Sequence, residues 1–345
     1  MTVVVKLGTS LVVGPSGGVR TGVLRRRAGE IGAVVRGGEP AVVVSSGAIA
    51  LGLPHLGLDR RPRSVPRLQA ASALGQSRLQ QAWERALGRE GIQAAQILLT
   101  GAEIADRGAY VNARNALLAL FALGAVPIVN ENDATATDEI TFGDNDALAA
   151  HVAILVRARL LVLLTEVEGV YSRAPGTPGA ELVGDWSHGR SALLGDASRV
   201  GRGGMRSKVL AAEMAAAAGI PTVIAGGASA SVLDPILAGE PRGTRFRGSE
   251  RELSAYKLWL RFGKPSAGRL RVDGGARRAV SDEGRSLLAV GVVSSEGRFE
   301  AGDAVELVGP DGTVFGKGIV SVAADELAGR PRGLEVVHRE RLVVY

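Results

Sequence analysis

The chain has 345 residues, 46% of them apolar, a formal net charge of +6 and no cysteine. That length allows about two domains with a sizeable core. Missing thiols exclude disulfides, thiol nucleophiles and cysteine-based zinc or iron–sulfur centres. Four histidines, His55, His151, His188 and His338, are scattered without ligand spacing. Any metal should therefore be a hard ion on oxygen ligands, such as Mg²⁺. The longest apolar run, Val152 to Leu164, is broken by Arg157 and Arg159, so no membrane span and a cytoplasmic location are expected. From Lys264 onward 12 basic residues balance 12 acidic ones, and the whole charge excess lies before that point.

Thr2 to Val5 reads as a buried parallel strand, delivering Lys6-Leu7-Gly8-Thr9-Ser10 at its carboxyl end. An ammonium and free backbone amides in that crevice suit phosphate, although a tight turn with a surface lysine fits the same residues. The pattern next predicts a helix over Leu24 to Arg36, with Arg25-Arg26-Arg27 on a solvated face. A second strand, Ala41 to Val44, runs into Ser45-Ser46-Gly47-Ala48, whose hydroxyls and helix-start amides can hold an anion or simply cap. After a Pro- and Arg-rich excursion at 54–67 come a helix from Leu68 to Leu87, a strand from Gly91 to Thr100, and a helix from Tyr110 to Leu123.

Val126 to Val129 is a strand that leads into the most polar stretch of the chain. Seven Asp or Asn side chains fall between Asn130 and Asp146, including Asn132, Asp133, Asp144 and Asn145. One helix cap needs one such residue. Their density at the end of a buried strand points to a polar substrate site. A helix over Ala147 to Ala158 follows, then the strand Leu160 to Leu164, which carries Thr165 and Glu166 to the same edge. Gly201-Arg202-Gly203-Gly204-Met205-Arg206-Ser207-Lys208 opens an alanine-rich helix, Val209 to Ala218. Its glycines and first-turn lysine suit a phosphate, without the spacing of a Walker A loop. The strand Pro221 to Ala225 ends the β–α alternation. From Pro265 onward short strands alternate with Gly and Asp turns: Leu270–Val272, Ala289–Val293, Ala304–Leu307, Gly316–Val322 and Glu335–His338. That grammar predicts a small β-rich domain.

Six ordered blocks make the chain resemble the glutamate 5-kinases of the amino-acid kinase superfamily. They are Val5 to Ser10, Ser45 to Ala50, Gly75-Gln76-Ser77, Asn130 to Ala134, Gly143 to Asp146, and Gly203 to Lys208. The tail, with Val272-Asp273-Gly274-Gly275-Ala276 and Val336 to Arg339, resembles a PUA domain. The resemblance implies a three-layer αβα sandwich with a mostly parallel central sheet over 1–263 and a PUA barrel over 264–345. It implies ATP-dependent phosphorylation of the γ-carboxylate of L-glutamate, the first step of proline synthesis, with Mg²⁺.

By the same resemblance Lys6 and Lys208 contact the transferring phosphate, and Asp146 organises both lysines. Ser46, Gly47, Asp133 and Asn145 hold glutamate. Lys6, Gly8, Thr165, Glu166 and the run from Arg202 through Gly203, Gly204, Met205, Arg206 and Ser207 to Lys208 line the nucleotide site. Glu166 stands where these kinases commonly have Asp, and Arg202 where Thr is common. Homo-oligomers (dimers or tetramers), feedback inhibition by L-proline and glutamate-5-semialdehyde dehydrogenase as a partner enzyme are further implications. The alternatives are a kinase for another acid or phosphate acceptor, and an RNA-binding protein led by its tail. Zero net charge and few aromatics there (Phe299, Phe315 and Tyr345) count against RNA.

Overall fold

Continuous β-branched and leucine runs in this chain form strands buried on both faces, which is what a parallel sheet between helical layers requires. The structure, a computed structural model, describes residues 1–58, 60–135, 145–186, 204–250, 253–327, 331 and 333–345. Its contacts divide the chain into two compact units, Met1–Glu252 and Leu253–Tyr345. The short helix Ala255–Leu258, assigned from sequence to the first domain, thus belongs to the second unit.

The first unit is built on an eight-stranded sheet in the order β3-β4-β2-β1-β5-β7-β8-β6. The strands are β1 (Val3–Leu7), β2 (Ala41–Ser45), β3 (Ala94–Leu99), β4 (Val126–Glu131), β5 (Leu160–Thr165), β6 (Asp185–Trp186), β7 (Thr222–Gly226) and β8 (Thr244–Phe246). β3 through β7 in that order are parallel, while β8 runs antiparallel to β7. β1 lies at the centre, in register with β2 (Lys6 opposite Val44) and β5 (Lys6 opposite Leu163).

Period-two alternation sorts β1 into two faces. Val3, Val5 and Leu7 join the core under the helices Thr21–Arg36 and Val65–Gly88. Val4 and Lys6 face the opposite layer, where the helix Asn145–Val156 packs on β1 and against the helix Met205–Ala217. Three layers result, as the family resemblance implies.

Two local readings change. Asn130 and Glu131 belong to β4 itself, so Asn130 is held by a strand and not by a loop. Arg27 is not on a solvated face: it has no exposed surface. Its guanidinium donates to the carbonyls of Ser229 (2.9 Å) and Ala230 (3.0 Å) and lies 2.9 Å from Glu30. Glu30 in turn accepts from the backbone of Val232 (2.6 Å) and Leu233 (3.0 Å). A buried ion pair fixes the segment after β7, with Arg27 Nη2 and Glu30 Oε1 bound to its backbone.

The second unit has a six-stranded mixed sheet, ordered β10-β14-β13-β12-β9-β11. Its strands are β9 (Ser266–Val272), β10 (Leu287–Leu288), β11 (Val292–Gly297), β12 (Ala304–Val308), β13 (Val314–Val320) and β14 (Glu335–Val344). Leu270, Val272, Phe299, Leu307, Val320 and Val336 fill its core. One expected strand is different: Ala289–Gly291 is a 3₁₀ turn between β10 and β11. A helix, Gly274–Ser281, was also not foreseen; the Asp273 side chain caps it by accepting from Ala276 N at 2.7 Å. Among the described residues no helix is long and apolar enough to cross a membrane.

Candidate active site

At the carboxyl edge of the sheet, three charged side chains from three elements meet out of solvent. Lys6 of β1, Asp146 and Lys208 are 2%, 0% and 5% exposed. Lys6 Nζ donates to Asp146 Oδ1, and Lys208 Nζ donates to Oδ2 at 3.0 Å. Ser207 Oγ lies 3.1 Å from the same Oδ2 and 2.8 Å from the Gly204 carbonyl. Asp146 sits in the first turn of Asn145–Val156, where the helix dipole favours a carboxylate. Among the described residues two ammonium groups thus meet on the two oxygens of one buried carboxylate. Buried charge is costly unless compensated, so this arrangement favours an incoming anion.

A second, uncharged network starts one residue away. Asn145 Nδ2 donates to Ser46 Oγ (2.9 Å) and to Asn130 Oδ1 (2.7 Å). Asn130 Nδ2 donates to Gln76 Oε1 at 2.7 Å. The two ends of this amide chain are open: Asn145 Oδ1 and Gln76 Nε2 are buried and have no hydrogen-bond partner among the described residues. A buried amide atom left unpaired costs about 1–3 kcal/mol, which a polar ligand can recover. Asp133 lies beyond, accepting from Ser72 Oγ at 2.9 Å. Burial raises the Asp133 carboxyl above the usual carboxylate range, against the opposing Ser72 hydrogen bond and the Arg61 charge.

Ser72 and Gln76 are four residues apart on the helix Val65–Gly88, hence on one face. Glycine sets the height of that face. A Cβ on Gly75 would lie 1.8 Å from the Ala48 carbonyl oxygen, and one on Gly52 would lie 1.8 Å from that of Ala71. The helix therefore crosses Ala48–Gly52 at backbone contact, which only glycine allows. Gly47, at the start of that short helix, has φ 117°, a left-handed value that again favours glycine. Ser46 N donates to the Leu7 carbonyl (3.2 Å), tying the turn to the end of β1.

The nucleotide-side residues expected from the sequence are dispersed along the same edge. Gly8 starts the short helix Thr9–Val12 after β1. Thr165 ends β5 half-buried, its carbonyl accepting from Gly227 N at 2.7 Å, and Glu166 next to it is exposed. Gly204 and Met205 begin Met205–Ala217 half-buried, and Arg206 is exposed. Arg202 and Gly203, with Gly143 and Asp144, lie outside the described residues. Lys6, Ser46, Asn145, Asp146, Ser207 and Lys208 are thus joined by direct contacts. Sequence reasoning missed Ser72 and Gln76 as site residues; the one signal was the Gly75-Gln76-Ser77 block.

Residues 1–226 match the model of the amino acid kinase family, and residues 268–341 match that of the PUA domain. Among curated relatives, the glutamate 5-kinase of Cupriavidus pinatubonensis is 42% identical, over 99% of this chain and 97% of its own length. That of Pelobacter propionicus is 40% identical over the same shares. Among solved structures, the UMP kinase of Bacillus anthracis aligns with a TM-score of 0.51 at 16% identity, covering 71% of this chain and 95% of its own. Isopentenyl phosphate kinase aligns with a TM-score of 0.52 at 23% identity, covering 71% and 99%. These two likenesses carry the fold alone.

Proposed function

The chain belongs to the amino acid kinase family, and within it to the glutamate 5-kinases; from that premise we propose how its site works. The reaction is transfer of the γ-phosphoryl group of ATP to the γ-carboxylate of L-glutamate, giving ADP and L-glutamyl 5-phosphate, the entry to proline synthesis. The observation that supports this chemistry most is the buried Lys6–Asp146–Lys208 cluster, in which two ammonium groups are held on one carboxylate.

A carboxylate is already ionised at neutral pH, so the nucleophile needs no general base. What opposes reaction is the approach of one anion to another. A pair of unit charges at 4 Å repels by about 4 kcal/mol at an effective dielectric near 20. Lys6 and Lys208 place two ammonium groups where the transferring phosphoryl oxygens arrive, and Asp146 holds both in position beforehand. Catalysis is then positioning plus electrostatic stabilisation. The product is an acyl phosphate prone to hydrolysis, and a cluster this buried also keeps water away from it.

Mg²⁺ fits this reading as a passenger of the nucleotide. Both oxygens of Asp146 are engaged by ammonium groups. Among the described residues no group of three or more His, Asp or Glu could cage an ion. The triphosphate's own oxygens would hold it, and it would supply further charge neutralisation there.

Glutamate lies along the amide chain. Its α-ammonium faces Asp133 and the open Asn145 Oδ1, the Gln76 amide donates to its α-carboxylate, and the Ser46–Gly47 turn receives the γ-carboxylate. Thr165, Glu166 and the run Gly204 to Lys208 border the nucleotide, and the same family implies self-association and inhibition by L-proline.

The test is ADP release from ATP with glutamate, aspartate, N-acetylglutamate, carbamate or UMP as acceptor, with hydroxylamine added to trap acyl phosphate as a hydroxamate. Glutamate should give ADP and hydroxamate in equal amounts. Turnover only with another acceptor would overturn the reading.

A further inference from the structure

Away from the reacting groups, a cavity of about 590 Å³ opens between the helices Thr21–Arg36 and Val65–Gly88. Arg25, Arg78, Arg85, Arg89 and His55 line it, and no carboxylate among the described residues does. Arg78, Arg85 and Arg89 follow one another at spacings of seven and four, which sets them along one face of one helix. Arg25 faces them from the other wall. Arg78 is held by the Leu74 carbonyl (3.0 Å) and His55 Nδ1 (3.2 Å). Arg25, Arg85 and Arg89 have no ion pair among the described residues, whereas Arg36, at the far end of the helix Thr21–Arg36, is paired with Glu90 at 3.2 Å.

Two further features select the ligand. Thr21 and Gly22 of the cavity wall are the first residues of a 16-residue helix that has no side-chain cap and no acidic residue in its first turn. The positive end of its dipole lies at that wall. Leu24, Leu51, Ala82 and Ala86 supply an apolar lining between the cations. The volume falls within the range of small-molecule sites, about 300–1,000 Å³.

We propose that this cavity is a second binding site, distinct from the site of phosphoryl transfer, for a small molecule bearing a chain of phosphates. Guanidinium forks match phosphate oxygens pairwise, and several forks converging without a counter-ion require a ligand of more than one negative charge. The site shares no residue with the lysine cluster or the amide chain. It meets the active site through the helix Ala48–Gly52, whose Leu51 lines the cavity and whose preceding Gly47 belongs to the substrate turn, and through the helix Val65–Gly88, which carries Gln76 as well as Arg78.

Titration calorimetry on the full chain in the presence of glutamate tests this. Tripolyphosphate should bind at two sites per chain, and the R85A/R89A variant should weaken one of them at least tenfold while keeping its melting temperature and basal turnover. Gln81→Glu, which sets a carboxylate among the arginines, should weaken it as well. CTP in place of tripolyphosphate separates the two sources. Tighter CTP binding assigns the apolar lining to a base, equal binding assigns the site to the phosphate chain, and both support the proposal. Tripolyphosphate binding at one site per chain, or binding that R85A/R89A and Q81E leave unchanged, would overturn it.

Discussion

The two halves of the active site solve opposite problems. Around Asp146, two buried ammonium groups meet one carboxylate whose oxygens are both engaged. Along Asn145, Asn130 and Gln76 the side chains are uncharged amides, and two amide atoms are left unpaired among the described residues. Charged groups act over distance on whichever phosphate enters. Open amide ends act only at contact, so they read the shape of a particular acceptor. Rate should therefore live in the first half and acceptor affinity in the second.

The strongest way to break that division is to remove a lysine. Lys208→Ala should lower kcat about 10²–10³-fold, the range for loss of one preorganised donor to a developing charge, with little change in glutamate KM. Steady-state kinetics checks it, and near-normal kcat would dismiss the role. Asp146→Ala should add a stability defect of about 3–5 kcal/mol, since it leaves two buried ammonium groups facing each other; urea unfolding measures that. A rate loss without destabilisation would mean that Asp146 is not what holds the lysines.

On the uncharged side, Gln76→Ala should raise glutamate KM about tenfold, equivalent to about 1.4 kcal/mol, and leave kcat within a few-fold. Ammonium binding gives a smaller, pH-dependent effect. Burial raises the Asp133 carboxyl, so it protonates at a higher pH than an ordinary aspartate. Only the ionised form pairs with the substrate's ammonium. Glutamate KM should thus rise as pH falls towards the acid range, and Asp133→Asn should have a high KM that no longer follows pH. A wild-type KM that is flat below neutrality would remove Asp133 from the substrate.

These halves also differ in how plainly the sequence announces them. Lys6 after an apolar strand, and Lys208 after a glycine run, are local patterns, and each suggests phosphate chemistry within ten residues. Strands β1, β2, β5 and β7 were equally legible as unbroken apolar runs. Gln76 was not, because it sits in mid-helix, 54 residues before Asn130, among ordinary helix formers. What puts it in the site is the Gly75–Ala48 backbone crossing, a contact between segments that no periodicity reveals. Arg27 was misjudged for a related reason. A triple-arginine run looks solvated until a partner backbone 202 residues later is known to receive one of the three.

Additivity is the most direct measurement of the division itself. Sites that act independently give free-energy effects that sum, whereas parts of one unit do not. Lys208→Ala, Gln76→Ala and the double variant should be assayed together for glutamate-dependent ADP release. The account predicts a kcat loss carried by the lysine, a glutamate KM increase carried by the glutamine, and a double variant showing both in full. A Gln76→Ala enzyme with the kcat of the lysine variant, and a double variant no worse than either, would contradict it.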